Sequence, residues 1–321
     1  MNASAGRATT RLRVILFPGG AQVPMWVADA LGLFAQQGLS VELTPTPSSV
    51  FLAEAMARGD HDIALATFDN VVGYVEGQGE VQLPEPPDFA AFLSIMHGTV
   101  HLVAQPAVTS IADLRGKALG VDAVATGYSL ALMKLLQAGG LQPGEYTLEP
   151  IGNTAQRQKL LLENRTPATI LTTPLHLLPQ SRGYRELADF AALVGPYQAV
   201  AAFARRAWMR EHTDALLRFI RATTAALDWL MDPASRSDAV ALYRKHLPDI
   251  PEAAAAKAMA AMTAPDDGFS RGGAFDHAGI ATVLRIRSEF GRPAKRLDDA
   301  SRYIDESYLR AASGAPQRGM S

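Results

Sequence analysis

The segment that most constrains the fold is residues 17–26, where two adjacent glycines separate a short apolar run from a helix-forming stretch. The run at 13–16 is predicted as a strand, the stretch at 24–37 as an amphipathic helix, and residues 40–44 as a second strand. Open α/β sheets bind their ligands at turns of this kind, between the end of a strand and the start of the next helix. The turn leaves backbone N–H groups free at the helix start, where a small polar or anionic group can bind.

Size and composition indicate a globular protein with more than one core. The chain has 321 residues, 48% of them hydrophobic and 19% charged, which suits two α/β lobes. Its 30 basic and 32 acidic residues give a formal net charge of −2, so composition offers no case for nucleic-acid binding. The sequence contains no cysteine, which excludes disulfides, thiolate catalysis and Cys-ligated metals.

The beginning of the chain bears on where the protein resides. Residues 1–13 are polar, include three arginines and lack the apolar central region of a signal peptide. No apolar run is long enough to cross a bilayer, so direct membrane insertion is not expected. Two alternatives stay open: a cytoplasmic protein, or an exported one whose targeting segment has been removed.

The order of short strands and helices predicts two lobes. Strand and helix patterns alternate up to about residue 97 and again from about 100 to 195, whereas helices dominate after residue 206. One long helix is predicted at 208–229, and residues from 292 onward are predicted to be peripheral. The predicted division is 1–97 and 196–310 for the first lobe, 98–195 for the second, and 311–321 for a loose tail. The chain then crosses between lobes near 96–102 and 193–201, which predicts a two-strand hinge closing around a ligand.

The first glycine loop is a predicted binding segment. Gly19 and Gly20 offer backbone N–H groups, and the Gln22 side chain supplies both a donor and an acceptor. The alternative is an ordinary tight turn. Trp26, one helical turn later, is either a stacking platform for a planar ligand or a buried core residue.

Two further loops follow strands of the first lobe. Ser48 and Ser49 precede a predicted helix, where a serine hydroxyl either caps the helix or faces the cleft. Phe68, Asp69 and Asn70 follow the third strand, with Phe68 as a possible aromatic wall of the cleft. Asp69 is predicted either to cap the next helix or, like Asn70, to bind the ligand.

The second lobe offers two similar helix starts. Thr126 and Gly127 begin a long helix, where free N–H groups and a hydroxyl can accept an anion, and Tyr128 adds a phenol. Simple capping by Thr126 is the alternative. Asn153 precedes a second helix, and Arg157 on it is either a bidentate counter-ion for a carboxylate or sulfonate or a surface arginine.

The remaining candidates are histidines, a threonine and a tyrosine. Thr173 suits an N-cap before a proline, and His176 is either a neutral donor or acid/base in the cleft or a half-buried structural residue. His97 and His101 lie four residues apart, but their neighbours favour an extended chain, so a role near the hinge is preferred to a metal site. Tyr197 follows the second crossing and is predicted to overhang the cleft. No metal or cofactor is expected.

The sequence resembles the type 2 periplasmic binding proteins of ABC importers, in the branch associated with nitrate, sulfonates, taurine and thiamine-precursor pyrimidines. The matching segments are WVADALGLF at 26–34, GLSVEL at 38–43, GDHDIA at 59–64 and DLRGK at 113–117. Their order and spacing extend the resemblance over residues 12–290. The resemblance implies a two-lobe α/β fold with a helical C-terminal region, a periplasmic location, and a permease and an ATPase as partners.

The same resemblance leaves two functions open. The first is a monomeric substrate-binding protein that holds a small acidic or planar solute: an aromatic carboxylate, a sulfonate or a pyrimidine. The second is a cytoplasmic decarboxylase- or biosynthesis-type enzyme on the same fold, with His176, Asp69 and Asp122 as acid/base candidates. The pyrimidine synthases of this fold carry a cysteine-rich motif, which this chain lacks.

Overall fold

The computed structural model describes residues 9–98, 100–265 and 267–314. They form two five-stranded mixed sheets covered by helices, which confirms the predicted pair of α/β lobes. The strands are β1 (Thr10–Leu16), β2 (Leu39–Pro45), β3 (Ile63–Thr67), β4 (Phe89–His97), β5 (His101–Ala104), β6 (Ala118–Val121), β7 (Thr147–Pro150), β8 (Ala168–Leu171), β9 (Arg185–Asp189) and β10 (Gln198–Arg205).

The helices lie between and after these strands. They are α1 (Val23–Ala30), α2 (Leu33–Gln36), α3 (Ser49–Arg58), α4 (Phe68–Val75), α5 (Gly127–Ala138), α6 (Thr154–Leu162), α7 (Leu177–Ser181), α8 (Phe190–Val194), α9 (Arg206–Glu211), α10 (Thr213–Met231), α11 (Arg236–His246), α12 (Glu252–Met262), α13 (His277–Phe290) and α14 (Ser307–Ala312). Short 3₁₀ turns lie at Gly20–Gln22, Ile111–Leu114, Pro233–Ser235, Arg271–Gly273 and Ala300–Arg302.

The two sheets have the same construction. The first has the order β2-β1-β3-β10-β4 and the second the order β7-β6-β8-β5-β9. In each sheet four strands run in the same direction and one strand, β10 in the first sheet and β5 in the second, runs antiparallel to both of its neighbours. Because the carboxyl ends of the parallel strands share one edge, the loops that follow them collect there.

Buried strands and long amphipathic helices form the core. All five residues of β3 are buried, as are eight of the nine in β4, which is typical of strands covered on both faces. In α10, Leu216, Phe219, Ile220 and Leu227 recur at helical spacing and are wholly buried. Helices α9, α10, α13 and α14 contact strands of the first sheet, so the chain after residue 206 adds to its cover.

The chain crosses between the two sheets twice. The first crossing lies between the end of β4 at His97 and the start of β5 at His101, and the second lies between α8 and β10 at residues 195–197. At the first crossing Gly98 has φ 55°, a conformation that favours glycine. Its N–H donates to the carbonyl of Tyr197 at 2.8 Å, so the two crossing segments are joined directly.

Three predicted features differ from the structure. The helix predicted at 24–37 is two helices, because Gly32 adopts a left-handed conformation with φ 66°. The helix predicted at 208–229 is divided at His212, whose φ and ψ of −117° and 31° end α9.

The region after residue 292 is not peripheral. The Tyr303 ring is 1% exposed, its hydroxyl donates to Glu76 Oε1 at 3.0 Å, and its carbonyl accepts from the N–H of Ala91 at 2.8 Å. Residues 315–321 of the predicted tail and residues 1–8 of the N-terminal segment lie outside the described residues.

Candidate functional site

A cavity of about 60 Å³ lies between the two lobes, at the edges where the parallel strands end. Loops of both lobes and the two crossing strands line it. The lining residues are Phe17, Pro18, Gly19, Gly20, Ala21, Ser49, Leu65, Ala66, Thr67, Met96, Asp122, Thr126, Tyr128, Asn153, Thr154, Arg157, Thr172, Thr173 and Val200. We call this space the central cavity.

The glycine loop after β1 forms one wall of the central cavity. Gly19 has φ 136° and ψ −150°, which a residue with a side chain rarely adopts. A Cβ on Gly20 would lie 3.0 Å from the Thr173 carbonyl oxygen, so this loop approaches the opposite lobe closely. The Gln22 side chain is outside the cavity lining, because its Oε1 accepts the Gly19 N–H at 3.1 Å and closes the turn.

Arg157 is the cation of the central cavity. Its side chain is 2% exposed, which excludes the surface-arginine alternative. Nε donates to the Ile170 carbonyl at 3.3 Å, Nη1 to the Gly152 carbonyl at 2.8 Å, and Nη2 to Thr154 Oγ1 at 3.0 Å and the Ile170 carbonyl at 3.2 Å. Within the described chain it forms no ion pair. Burial lowers the pKa of Arg157 to about 10, against the opposing charge of Asp122, so the group is cationic at neutral pH.

The start of α6 positions Arg157. Asn153 Oδ1 accepts the Gln156 N–H at 3.1 Å, and Gln156 Oε1 accepts the Asn153 N–H at 2.9 Å, which makes a reciprocal cap. Asn153 Nδ2 also donates to the Pro47 carbonyl of the first lobe at 3.3 Å. Arg157 follows one turn later and points its guanidinium back to Gly152. Asn153 thus both caps the helix and joins the lobes at the cavity rim.

Asp122 is the carboxylate of the central cavity. Its Oδ2 accepts from the hydroxyl of Ser49 and lies 3.4 Å from the Ser49 N–H, which joins the lobes a second time. Ser48 does not line the cavity; its hydroxyl caps α3 by accepting the Phe51 N–H at 3.2 Å. Of the two roles predicted for these serines, Ser48 therefore caps the helix and Ser49 faces the cavity.

The start of α5 contributes Thr126 and Tyr128. The Thr126 hydroxyl donates to the Ala123 carbonyl at 2.9 Å, so it stabilises the loop while lining the cavity. Tyr128 lines the cavity with its ring centroid 6.1 Å from that of Tyr197. Gly127 is placed elsewhere: a Cβ there would overlap the Asp69 side chain of the first lobe.

The segment after β3 places three predicted residues in the protein interior. Phe68 is 0% exposed in the apolar core, and Asn70 Nδ2 donates to Thr67 Oγ1 at 2.8 Å. Asp69 forms an ion pair with Arg287, and both side chains are under 5% exposed. None of the three lines the central cavity, because the first turn of α4 faces the core and α13; Thr67 lines it instead.

Trp26 and the two histidines of the first crossing also lie outside the central cavity. The Trp26 indole stacks on the His246 ring with centroids 4.2 Å apart, on the side of the first lobe covered by α11. His97 ends β4, and burial lowers its pKa. His101 Nδ1 lies 2.8 Å from Glu186 Oε1, and its Nε2 lies 3.1 Å from Thr173 Oγ1. The extended chain predicted at this pair is confirmed, because His97 ends β4 and His101 begins β5.

Thr173 is not the predicted N-cap, because α7 begins at Leu177 and His176 occupies the N-cap position. Thr173 lines the central cavity, whereas His176 packs behind it with its ring 3.7 Å from that of His101. Burial, reinforced by the neighbouring His101, lowers the pKa of His176 to about 4. His176 is therefore neutral at pH 7 and does not reach the cavity as an acid or base.

Tyr197 lines a different space beside the crossing segments. This groove has a volume of about 420 Å³, and its ionisable lining residues are His101, Glu186, Asp189, Asp267 and Asp276. Four carboxylates disfavour an acidic solute there. Tyr197 itself is 1% exposed, and burial raises its pKa well above the usual range.

Several residues that shape the site were not predicted from the sequence. Met96 and Val200 line the cavity from the crossing strands, and Thr154 and Thr172 extend predicted loops by one residue. The spacing of loops after strands could have indicated the two threonines. Arg287 lies on α13, and no local pattern in the sequence marks it as a site residue.

Two classes of site receive no support within the described residues. No cluster of three or more His, Asp or Glu side chains there has a geometry that could hold a metal ion. No helix in the described ranges is both long enough and apolar enough to traverse a bilayer.

Comparison with known proteins gives a family and a set of structural neighbours. Residues 21–235 match the model of the family described as NMT1/THI5 like. Among curated proteins no sequence matches the chain.

Three solved structures illustrate the structural likeness. The ligand-binding component of an ABC-type import system from Staphylococcus aureus, with zinc bound, has 12% identity and a TM-score of 0.75 over 94% of this chain and 99% of that one. The periplasmic nitrate-binding protein NrtA from Synechocystis has 13% identity and a TM-score of 0.77 over 97% and 90%. The desulfurization enzyme DSZB has 13% identity and a TM-score of 0.65 over 95% and 99%. They share the fold with this chain, which confirms the predicted likeness to periplasmic binding proteins.

Proposed function

The chain belongs to the NMT1/THI5-like family, and on that premise we propose that it is a solute-binding protein whose central cavity takes a small acidic solute. The lobes close over the solute, which is released when they part. The proposal is one of binding and transport, without chemical change to the solute.

The observation that carries the proposal is the unpaired charge of Arg157. Removing a guanidinium from water costs several kcal/mol unless an anion compensates it. Arg157 is 2% exposed, and its acceptors in the described chain are neutral oxygens. A carboxylate, sulfonate or nitrate in the cavity supplies the missing negative charge and can accept the second N–H of Nη1.

The walls of the cavity favour a small solute over an aromatic one. About 60 Å³ corresponds to roughly four to six water-sized groups. Trp26, the predicted stacking platform, and Phe68, the predicted aromatic wall, are absent from the lining. The start of α6, where Asn153 and Thr154 line the cavity, provides further positive partial charge.

The transport setting follows from the family and the fold neighbours. One neighbour is a component of an ABC-type import system and another is a periplasmic nitrate-binding protein. We therefore propose an exported protein that acts as a monomer and delivers its solute to a permease driven by an ATPase. The direct joining of the two crossing segments supports a hinge at residues 98–100 and 195–197.

A binding screen tests this function. Nitrate, propionate, ethanesulfonate and benzoate are added separately while thermal unfolding is followed, and hits are measured by isothermal titration calorimetry. A solute at 100 times its Kd adds about 2.7 kcal/mol to the free energy of unfolding. We expect at least one small acid to bind and to be recovered unchanged. Absence of binding by every acid contradicts the proposal.

Recovery of a chemically altered solute indicates the alternative, an enzyme on this fold, for which DSZB is a structural precedent. Of the acid/base candidates from the sequence, Asp122 is the one that lines the cavity. Asp69 is held by Arg287, and His176 packs behind Thr173.

A further inference from the structure

We propose that Asp122 selects, among small acids, those that also carry an N–H or O–H donor a few bonds from the acidic group. This inference rests on the proposed function and narrows its solute class. It assigns to Asp122 a role in specificity, with Arg157 holding the acidic end and Asp122 the donor end of one solute.

The first support is the hydrogen bonding of the Asp122 carboxylate. Oδ2 is used by the Ser49 hydroxyl, and the Ser49 N–H approaches the same oxygen at 3.4 Å. Oδ1 is buried and has no donor in the part of the chain that the structure describes. A buried carboxylate oxygen without a donor is costly, and native structures rarely keep one without a reason. Because Asp122 lines the central cavity, a donor on the solute can meet this carboxylate when the cavity is filled.

The second support is the separation of opposite charges in one small space. Asp122 and Arg157 both line the central cavity, yet they are not among the ion pairs of the described residues. Each charge therefore keeps capacity for a partner. A simple acid compensates Arg157 but brings a second negative charge near Asp122, whereas an acid with an ammonium or hydroxyl group meets both.

The third support is the position of Ser49. This residue starts α3 of the first lobe, and its bond to Asp122 of the second lobe fixes the carboxylate at the cavity wall. Oδ2 is thereby occupied by Ser49, and the carboxylate still lacks a donor on its other oxygen. The contact exists only when the lobes meet, so the donor site on Asp122 is completed by closure.

The test compares solutes that differ in one group. Propionate, 3-hydroxypropionate and β-alanine form one series, and ethanesulfonate, isethionate and taurine form a second with the same chain length between the groups. Dissociation constants are measured by isothermal titration calorimetry at pH 7. In the series whose acid group fits, we expect the ammonium compound to bind at least tenfold more tightly than the plain acid, with the hydroxyl compound between them.

The variant Asp122→Asn should remove this preference. We expect the ammonium compound to weaken at least tenfold, and the plain acid to bind as tightly as before or more tightly, because the repelling charge is gone. Glu149→Gln, at an exposed carboxylate of the same lobe, is the matched control and should leave all six affinities unchanged.

The outcomes separate this inference from the proposed function. If plain acids bind wild-type protein as tightly as their ammonium analogues, the role of Asp122 is overturned while acid binding stands. An unchanged ratio in Asp122→Asn also overturns it. If no acid of either series or of the earlier screen binds, the proposed function fails and this inference fails with it. The wild-type comparison needs no variant, so it is decisive even if Asp122→Asn does not fold.

Discussion

Arg287 holds Asp69 in a buried ion pair at the junction of the two lobes. Nε donates to Asp69 Oδ1 at 2.7 Å, and Nη2 donates to the other oxygen. Nη1 donates to the Gln78 carbonyl at 2.9 Å, and Nη2 also reaches the Ala125 carbonyl of the second lobe at 2.8 Å. The charge of Asp69 outweighs the effect of burial, so the pKa of Arg287 is raised. The pair thus joins α4 to α13 and contacts the loop that begins α5.

Breaking this pair should be costly for stability. Asp69→Ala leaves the Arg287 guanidinium buried without its counter-ion, and we expect a loss of about 3–5 kcal/mol in the free energy of urea unfolding. Asp298→Ala, which breaks an exposed pair with Arg296, should cost less than about 1 kcal/mol. Equal losses for the two variants would refute the structural role of Asp69.

Gly127 should be required for the lobes to meet. An added Cβ would overlap Asp69, which lies in the opposite lobe, so Gly127→Ala should hinder closure. We expect solute affinity to fall at least tenfold while far-ultraviolet circular dichroism is unchanged. Small-angle scattering of the solute-saturated variant should give a larger radius of gyration than wild type.

The control for this variant is Val124→Ala, on an exposed residue of the same loop. It should bind and close as wild type does. A Gly127→Ala protein with wild-type affinity and wild-type scattering would show that the contact at Asp69 does not govern closure.

Arg157 should matter for binding far more than for stability. In Arg157→Met we expect the Kd for an acidic solute to rise at least tenfold, because a charge-assisted hydrogen bond is lost. The free energy of unfolding should change by less than about 1 kcal/mol, since losing the hydrogen bonds to Gly152 and Ile170 is offset by removing a buried charge. Calorimetry and urea unfolding measure the two quantities.

The exposed arginine at position 115 provides the comparison. Arg115→Met removes a surface pair with Glu145 and should leave the affinity unchanged. Should Arg157→Met bind acids normally, the guanidinium does not contact the solute.

His176 should make stability fall as the pH drops. Its pKa is about 4 in the folded protein against 6.5 for a free histidine, so the unfolded chain takes up the proton first. The stability contributed by the neutral ring is fully present above pH 6.5 and is lost as the pH falls towards 4. Between pH 7 and 4.5 we expect His176→Asn to lose less stability than wild type, by on the order of 2 kcal/mol.

Urea unfolding at the two pH values measures this difference. His212→Asn changes an exposed histidine and should show the pH dependence of wild type. If His176→Asn and wild type lose equal stability, the ring of His176 is not held neutral by its surroundings.

Local sequence patterns predicted much of the fold and part of the candidate site. Strand and helix periodicity located the two α/β lobes, and turn residues after parallel strands indicated the loops that now surround the cavity. This pattern identified four residues of the cavity lining, because each lies in or just after a loop that joins a strand to a helix. They are Gly19, Gly20, Thr126 and Arg157. Such residues are identifiable because their position depends on neighbours a few residues away.

The positions of the other candidate residues depend on contacts between segments that are distant in the sequence. No local sequence pattern encodes such contacts. Asp69 turns away from the cavity because Arg287, 218 residues further on, takes its carboxylate. Trp26 packs outward because His246 of α11 covers it. The His176 ring lies outside the cavity because it stacks on the ring of His101. In each case the residue type was compatible with ligand binding, but a contact with a residue far along the chain holds the side chain outside the cavity.

The most direct test of the account is a crystal structure of the protein with its tightest-binding small acid. We predict that the acidic group lies in the central cavity within about 3.2 Å of an Arg157 Nη atom, next to the Gly19–Gly20 turn. Density for the acid in the groove lined by Asp267 and Asp276, or on the outer surface of either lobe, would contradict it.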